Sequence, residues 1–194
     1  MSAAVSLAAS YRHCALVARA QARNFYYAFL VLPREKRRAF CAIYAFLRHS
    51  DDMTDDPEAS RDPAAQRRSL DAWRRSLERA LEGDYGGSRL LPAFHDTLRR
   101  FALPAEYFFE LIRGTEMDLN GTRFRVFHDL YQYCYRVAGV VGLMCLRVFG
   151  LRSSAPADEQ EAAKMAEACG IAFQLTNILR DLREDAALGR VYLP

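Results

Sequence analysis

The sequence predicts an all-α fold in one domain, residues 1–194. Three observations carry that reading. Apolar residues recur at helical rather than strand-like spacing, prolines and glycines stand where helices begin and end, and no internal repeat or low-complexity run interrupts the pattern. A length of 194 residues allows one sizeable core. Hydrophobic content of 51% with 26% charged residues excludes an intrinsically disordered chain.

The elements follow in order. A first helix covers part of residues 3–29. A second begins after Leu32-Pro33, with Pro33 in its first turn, and runs to Pro57. Asp62-Pro63 reads as an N-cap followed by proline at the first helical position, opening a helix that stops at Gly83. Asp84–Ser88 (DYGGS) is a turn. Shorter helices are expected at 90–101 and 104–119, and a long apolar one at 126–149. Arg152–Asp158 is a linker, and a last helix runs from 158 to 186.

A net charge of +3 does not argue for a nucleic-acid partner, and no basic stripe with interleaved aromatic residues is present. The arginine pairs (Arg37-Arg38, Arg67-Arg68, Arg74-Arg75, Arg99-Arg100) read as a solvated helix face or as attraction to anionic headgroups. Five scattered cysteines (Cys14, Cys41, Cys134, Cys145, Cys169) read as reduced, mostly buried thiols of a cytoplasmic protein. The N-terminus lacks signal-peptide character. The apolar stretches Ala39–Leu47 and Val137–Leu146 are too short to span a bilayer. The expectation is a cytoplasmic chain, with peripheral association at the inner membrane face compatible with it.

Two acidic clusters run against helix economy. Ser50–Asp56 places Asp51/Asp55 and Asp52/Asp56 at i,i+4 near a helix C-terminus. Like-charge repulsion and the macrodipole both oppose this, by tenths of a kcal/mol to about 1 kcal/mol each. Taken alone, the cluster reads equally as a fraying acidic end or as a metal site. The last helix repeats the spacing with Asp181 and Asp185. Gln174 and Asn177 continue that polar stripe along a helix that also carries Ile171, Phe173 and Leu175. A solvated face balanced by Arg180 and Arg183 is the alternative.

The chemistry such pairs suit is specific. Mg²⁺ prefers oxygen ligands and is commonly held by one or two carboxylates plus substrate phosphates, and it neutralises charge on a departing diphosphate. Arginines complete a phosphate clamp. A carbocation left by an allylic diphosphate requires an apolar pocket and aromatic faces. Tyr131, Tyr133 and Tyr135 stand on the long helix beside Gly139 and Gly142. Those glycines signal either close helix packing or a bare floor for a bulky ligand.

At these residues the chain resembles the squalene/phytoene synthase family of head-to-head prenyl diphosphate synthases. Gln174–Pro194 (QLTNILRDLREDAALGRVYLP), Tyr133–Gly142 (YCYRVAGVVG), Ala42–Asp56 (AIYAFLRHSDDMTDD) and Gly114–Leu119 (GTEMDL) carry the likeness, which runs from about Ala22 to Pro194. It implies the isoprenoid synthase fold, with helices around a central cavity and aspartate motifs on opposing walls. It assigns Asp51 and Asp55 to a first Mg²⁺-diphosphate motif, with Asp52 beside them, and Asp181 and Asp185 to a second. Arg48, Gln174, Asn177, Arg180 and Arg190 become substrate contacts, and Tyr133 a residue for proton handling or cation stabilisation.

Prenyl diphosphates are then the substrates. Two farnesyl diphosphates giving presqualene diphosphate or squalene is the favoured reaction, with NADPH required if squalene is the final product. Phytoene from geranylgeranyl diphosphate is the runner-up. A non-catalytic assembly-factor relative and a helical interaction protein are the remaining readings. Gln21-Ala22-Arg23-Asn24 departs from the His-Ser-Lys-Ser of some members. The chain also stops where relatives continue with further helices, so self-association through uncovered apolar faces, or dependence on a second polypeptide for the missing walls, is expected.

Overall fold

The computed structural model describes residues 5–22, 24–55, 62–119, 121, 123–152 and 155–194. Asp56 and the side chain of Asp55, both part of the first acidic cluster, lie outside the described residues. Every regular element described is helical. No helix among the described residues is long and apolar enough to cross a membrane.

The chain divides into two units, Met1–Leu103 and Pro104–Pro194. The first holds α1 (Leu7–Gln21), α2 (Asn24–Leu30), α3 (Arg34–Asp55), α4 (Pro63–Leu81) and α5 (Leu91–Arg100). The helix expected over part of 3–29 is α1, capped by Ala22, and a second helix, α2, follows it. Ser6 caps its start by accepting from the Ala9 N–H at 3.3 Å. Asp62 does cap α4, accepting from Ala64 N and Ala65 N at 3.0 Å each, with Pro63 following as expected.

Buried polar groups join these helices. Ser10 Oγ donates to Leu90 O at 3.2 Å and accepts from Ala93 N at 2.9 Å, tying α1 to the start of α5. Phe46 of α3 stacks on Phe94 of α5 with centroids 4.4 Å apart, and lies 5.0 Å from Trp73 of α4.

The second unit holds α6 (Glu106–Leu119), α7 (Phe127–Cys134), a π-helical turn (Tyr135–Gly139), α8 (Val140–Phe149), α9 (Pro156–Arg180) and α10 (Leu182–Ala187). The long helix expected at 126–149 is continuous in direction of chain but not in hydrogen bonding. Tyr135–Gly139 widens to i→i+5 pairing, and the N–H of Val140 bonds to Tyr135 O. Glycines on both sides, Gly142 here and Gly170 on α9, explain how α9 fits against it. A Cβ on Gly170 would meet Ala138 O at 2.2 Å, so the two backbones touch. Beside this contact Phe124, Leu130, Tyr133, Cys134, Ile171 and Ile178 form a buried cluster.

Candidate functional site

In the first unit the acidic end of α3 is fixed from behind. Ser50 is buried. Its Oγ donates to Phe46 O at 3.1 Å and accepts from Trp73 Nε1 at 3.0 Å. With Ser50 turned inward, the next two residues, Asp51 and Asp52, face solvent. Arg48, one turn earlier, forms an ion pair with Asp52. Its Nε is buried and has no hydrogen-bond partner among the described residues. A buried guanidinium N–H without an acceptor is costly, and an anion at this end of α3 would remove the cost. A hollow of about 510 Å³ also opens in this unit, bounded by His49, Met53, Trp73, Arg79, Tyr85 and Leu91. Neither Asp51 nor Asp52 lines it.

In the second unit Gln174, Asn177 and Asp181 are half-buried along α9, in one row as the spacing predicted. The helix beyond them is a correction to the sequence reading. The span 158–186 is not one helix: Asp181, at φ −101° and ψ 10°, ends α9, and α10 begins at Leu182. Aspartate is a poor helix former, and here its side chain is engaged elsewhere. Arg180 Nε donates to Asp181 Oδ1 at 2.7 Å, and its Nη2 donates to Oδ2 at 2.5 Å. These bonds hold the Asp181 carboxyl below the usual carboxylate range. The one-turn relation to Asp185 survives the break, because Asp185 N donates to Asp181 O at 2.9 Å. Burial raises the Asp185 carboxyl, and Arg190 opposes that rise. The Arg190 N–H also donates to Asp185 O at 2.8 Å, so the two residues share one turn. Arg180, expected on substrate, is therefore engaged with a neighbouring carboxylate.

Tyr133 is buried at 4% exposure, and its O–H donates to Asp118 Oδ2 at 3.0 Å. Tyr192 donates to the other oxygen, Oδ1, at 2.9 Å. The two rings stack with centroids 5.2 Å apart, and Phe124 lies 5.4 Å from Tyr133. Burial, reinforced by the Asp118 charge, pushes both phenols well above their ordinary range, so both are protonated. Sequence reasoning missed Asp118 and Tyr192 as site residues. Both lie inside segments quoted for the family likeness, but their pairing joins residues 74 apart in sequence. No local spacing announces such a pair.

Among the described residues, no three carboxylate, imidazole or thiol groups converge as a metal cage. The donors present are hard carboxylate oxygens on one helix end and one helix junction. Taken unit by unit, each pair is of the kind Mg²⁺ accepts, one or two carboxylates with the shell completed by phosphate and water.

Residues 18–194 match the family model described as squalene/phytoene synthase. The 15-cis-phytoene synthase of Synechococcus elongatus is 42% identical over 99% of this chain and 63% of its own length. The phytoene synthase of Mycobacterium tuberculosis is 44% identical over 95% of this chain and 57% of its own. The chain thus spans about three fifths of the length of these curated relatives. Among solved structures, squalene synthase HpnC from Alicyclobacillus acidocaldarius superposes with a TM-score of 0.83 at 31% identity, covering 97% of this chain and 67% of that one. A dehydrosqualene synthase solved with a ligand gives 0.75 at 30%, covering 96% and 62%. The all-α architecture is that of these neighbours, and the chain belongs to the squalene/phytoene synthase family.

Proposed function

We propose that this chain is part of a prenyltransferase that condenses two prenyl diphosphates head to head, with geranylgeranyl diphosphate as substrate and phytoene as product. The observation that carries the reading is 42% identity to a 15-cis-phytoene synthase across 99% of the chain. It reverses the order of preference drawn from the sequence. Squalene and dehydrosqualene synthases stand at 31% and 30% identity, below the phytoene synthases. The phytoene outcome ends in proton loss, so NADPH has no place in it.

Several side chains support the chemistry. Asp51 and Asp55, with Asp52 beside them in sequence, would offer carboxylates to Mg²⁺, and Asp181 with Asp185 would do so separately. The bound ion would supply Lewis-acid neutralisation of a departing diphosphate. Arg48 offers its unpartnered Nε to phosphate oxygen. Gln174 and Asn177 orient the polar end of the substrate from α9. Arg190 contributes positive charge beside Asp185. Tyr133, protonated and surrounded by aromatic rings, offers an electron-rich face and oxygen to a carbocation while water is kept away. Because substrate and product are lipids, the reading includes peripheral contact with the inner membrane face.

The test is incubation with Mg²⁺ and either geranylgeranyl or farnesyl diphosphate, with and without NADPH, and identification of products by mass spectrometry. A C40 hydrocarbon made without NADPH is expected, and Asp51→Asn or Asp181→Asn should each abolish it with helical content retained. A C30 product in preference, or full turnover in either variant, would overturn the reading.

A further inference from the structure

Asp118 stands near the end of α6, Tyr133 on α7, and Tyr192 in the segment that follows α10. Three separate stretches of the second unit thus meet on one carboxylate. Each oxygen of Asp118 takes one phenol proton, at 3.0 and 2.9 Å. The rings are locked as well: Phe124, Tyr133 and Tyr192 form a stack in which neither tyrosine can turn without breaking an aromatic contact.

We propose that Asp118 is a positioning residue for Tyr133: it fixes the direction of the phenol O–H and enriches the phenol oxygen with electron density, so that Tyr133 meets the carbocation in one orientation. The inference rests on the reaction proposed above and adds to it a residue that touches no substrate. A free phenol rotates its O–H about the C–O bond, and its lone pairs rotate with it. With the proton committed to Asp118 Oδ2, the remaining lone pairs acquire a fixed direction. A carboxylate acceptor polarises the O–H bond more strongly than a neutral one. If the phenol oxygen accepts a proton from the cationic intermediate, the balance closes within the pair. The substrate C–H bond breaks and its electrons enter the new C–C bond of the product. An O–H bond forms at Tyr133, and the original phenol proton passes to Asp118 Oδ2, cancelling one cationic and one anionic charge.

A purely structural staple holding the segment after α10 would use the same hydrogen bonds, so the experiment separates the two. Tyr133→Phe and Asp118→Asn should each lower kcat by about 10²-fold, the scale of a proton-handling group. KM for geranylgeranyl diphosphate should hold within about threefold, since ground-state binding is not at stake. The double variant should be no slower than Tyr133→Phe alone, because both changes remove one function. Asp118→Glu, which keeps the charge, should recover part of the loss. A second readout needs no turnover: with Tyr ring carbons labelled with ¹³C, the Tyr133 phenol resonance should move in Asp118→Asn. Multiplying losses in the double variant, a raised KM with kcat retained, or an unmoved Tyr133 resonance would each overturn the proposal. Should the wild-type protein turn over no prenyl diphosphate, the proposed reaction fails, and the resonance still decides whether Asp118 controls Tyr133.

Discussion

A Cβ placed on Gly142 would lie 2.1 Å from the carbonyl oxygen of Ala166, so α8 and α9 meet backbone against backbone. Gly170 repeats the relation from the other side, with Ala138 O at 2.2 Å. The glycines of the long apolar stretch could signal either close packing or a bare ligand floor. At Gly142 the space is filled by α9, which places the polar row Gln174, Asn177 and Asp181.

Gly142→Ala and Gly170→Ala should therefore each destabilise the protein by about 3 kcal/mol, the upper part of the overpacking range. The obstructing atoms are backbone and cannot swing aside as a flexible side chain would. Urea unfolding followed by circular dichroism measures the shift. A midpoint within error of wild type for either variant would show that the helices separate without penalty.

Trp73→Phe tests the support behind the acidic end of α3. The change removes the Nε1 hydrogen bond to Ser50 Oγ and part of a ring packed 5.0 Å from Phe46. Both groups are buried, so the cost should be about 2 kcal/mol. Ser50 still donates to Phe46 O, which should limit the damage to packing. Unchanged thermal unfolding would show that Trp73 does not anchor the helix end.

The fold was legible to the extent that it depends on local rules. Asp62-Pro63 announced α4, and Gly83 its end, because capping is a property of a few adjacent residues. The breaks were not legible for the same reason. The gap between α1 and α2 carries neither proline nor glycine. The π turn at Tyr135–Gly139 ends in a glycine that packs beside Glu167 and Ile171 of α9, a tertiary matter. The end of α9 at Asp181 was hidden by the one-turn aspartate spacing, since Asp185 N still donates to Asp181 O across the break. In the site, carboxylates one turn apart stood out in the sequence because their repulsion is local. Asp118 did not, since its partners come from other elements.

The Asp62 cap should make stability depend on acid pH. The hydrogen bond from the Ala65 backbone, opposed by burial and aided by the Ala64 backbone and Arg68, lowers its carboxyl below the ordinary value. The unfolded chain then binds the proton more readily than the folded one. The contribution is present above about pH 4 and lost as pH falls through the folded value. Asp62→Ala should have a lower melting temperature than wild type at pH 7, and the gap should close by about pH 2. A gap independent of pH would mean the carboxylate charge is not what caps α4.

Thiol reactivity should rank the cysteines by burial. Burial pushes Cys14 up to about 12 and Cys41, Cys134 and Cys145 to about 11, while Cys169 is exposed. N-ethylmaleimide at neutral pH should modify Cys169 first and reach Cys14 and Cys41 only as the first unit opens. Mass spectrometry of the time course locates each adduct. Equal rates at Cys14 and Cys169 would contradict the packing of α1 against α3.

Arg180 and Asp181 compete for roles in the proposed reaction. The guanidinium grips both carboxylate oxygens, and those are the atoms assigned to Mg²⁺. In the absence of Arg180 the carboxylate should be free to bind the ion. Arg180→Gln is therefore expected to lower the Mg²⁺ concentration for half-maximal activity. The change should not exceed about fivefold, because exposed ion pairs are weak. Arg180→Lys should fall between, since an ammonium cannot reproduce the fork. The sequence reading placed Arg180 on the substrate, and that role would appear separately, as a raised KM for the prenyl diphosphate at saturating Mg²⁺. An unaltered Mg²⁺ dependence in both variants, with full activity, would show that Asp181 does not exchange Arg180 for a metal ion, and the second aspartate pair would lose its place in the mechanism.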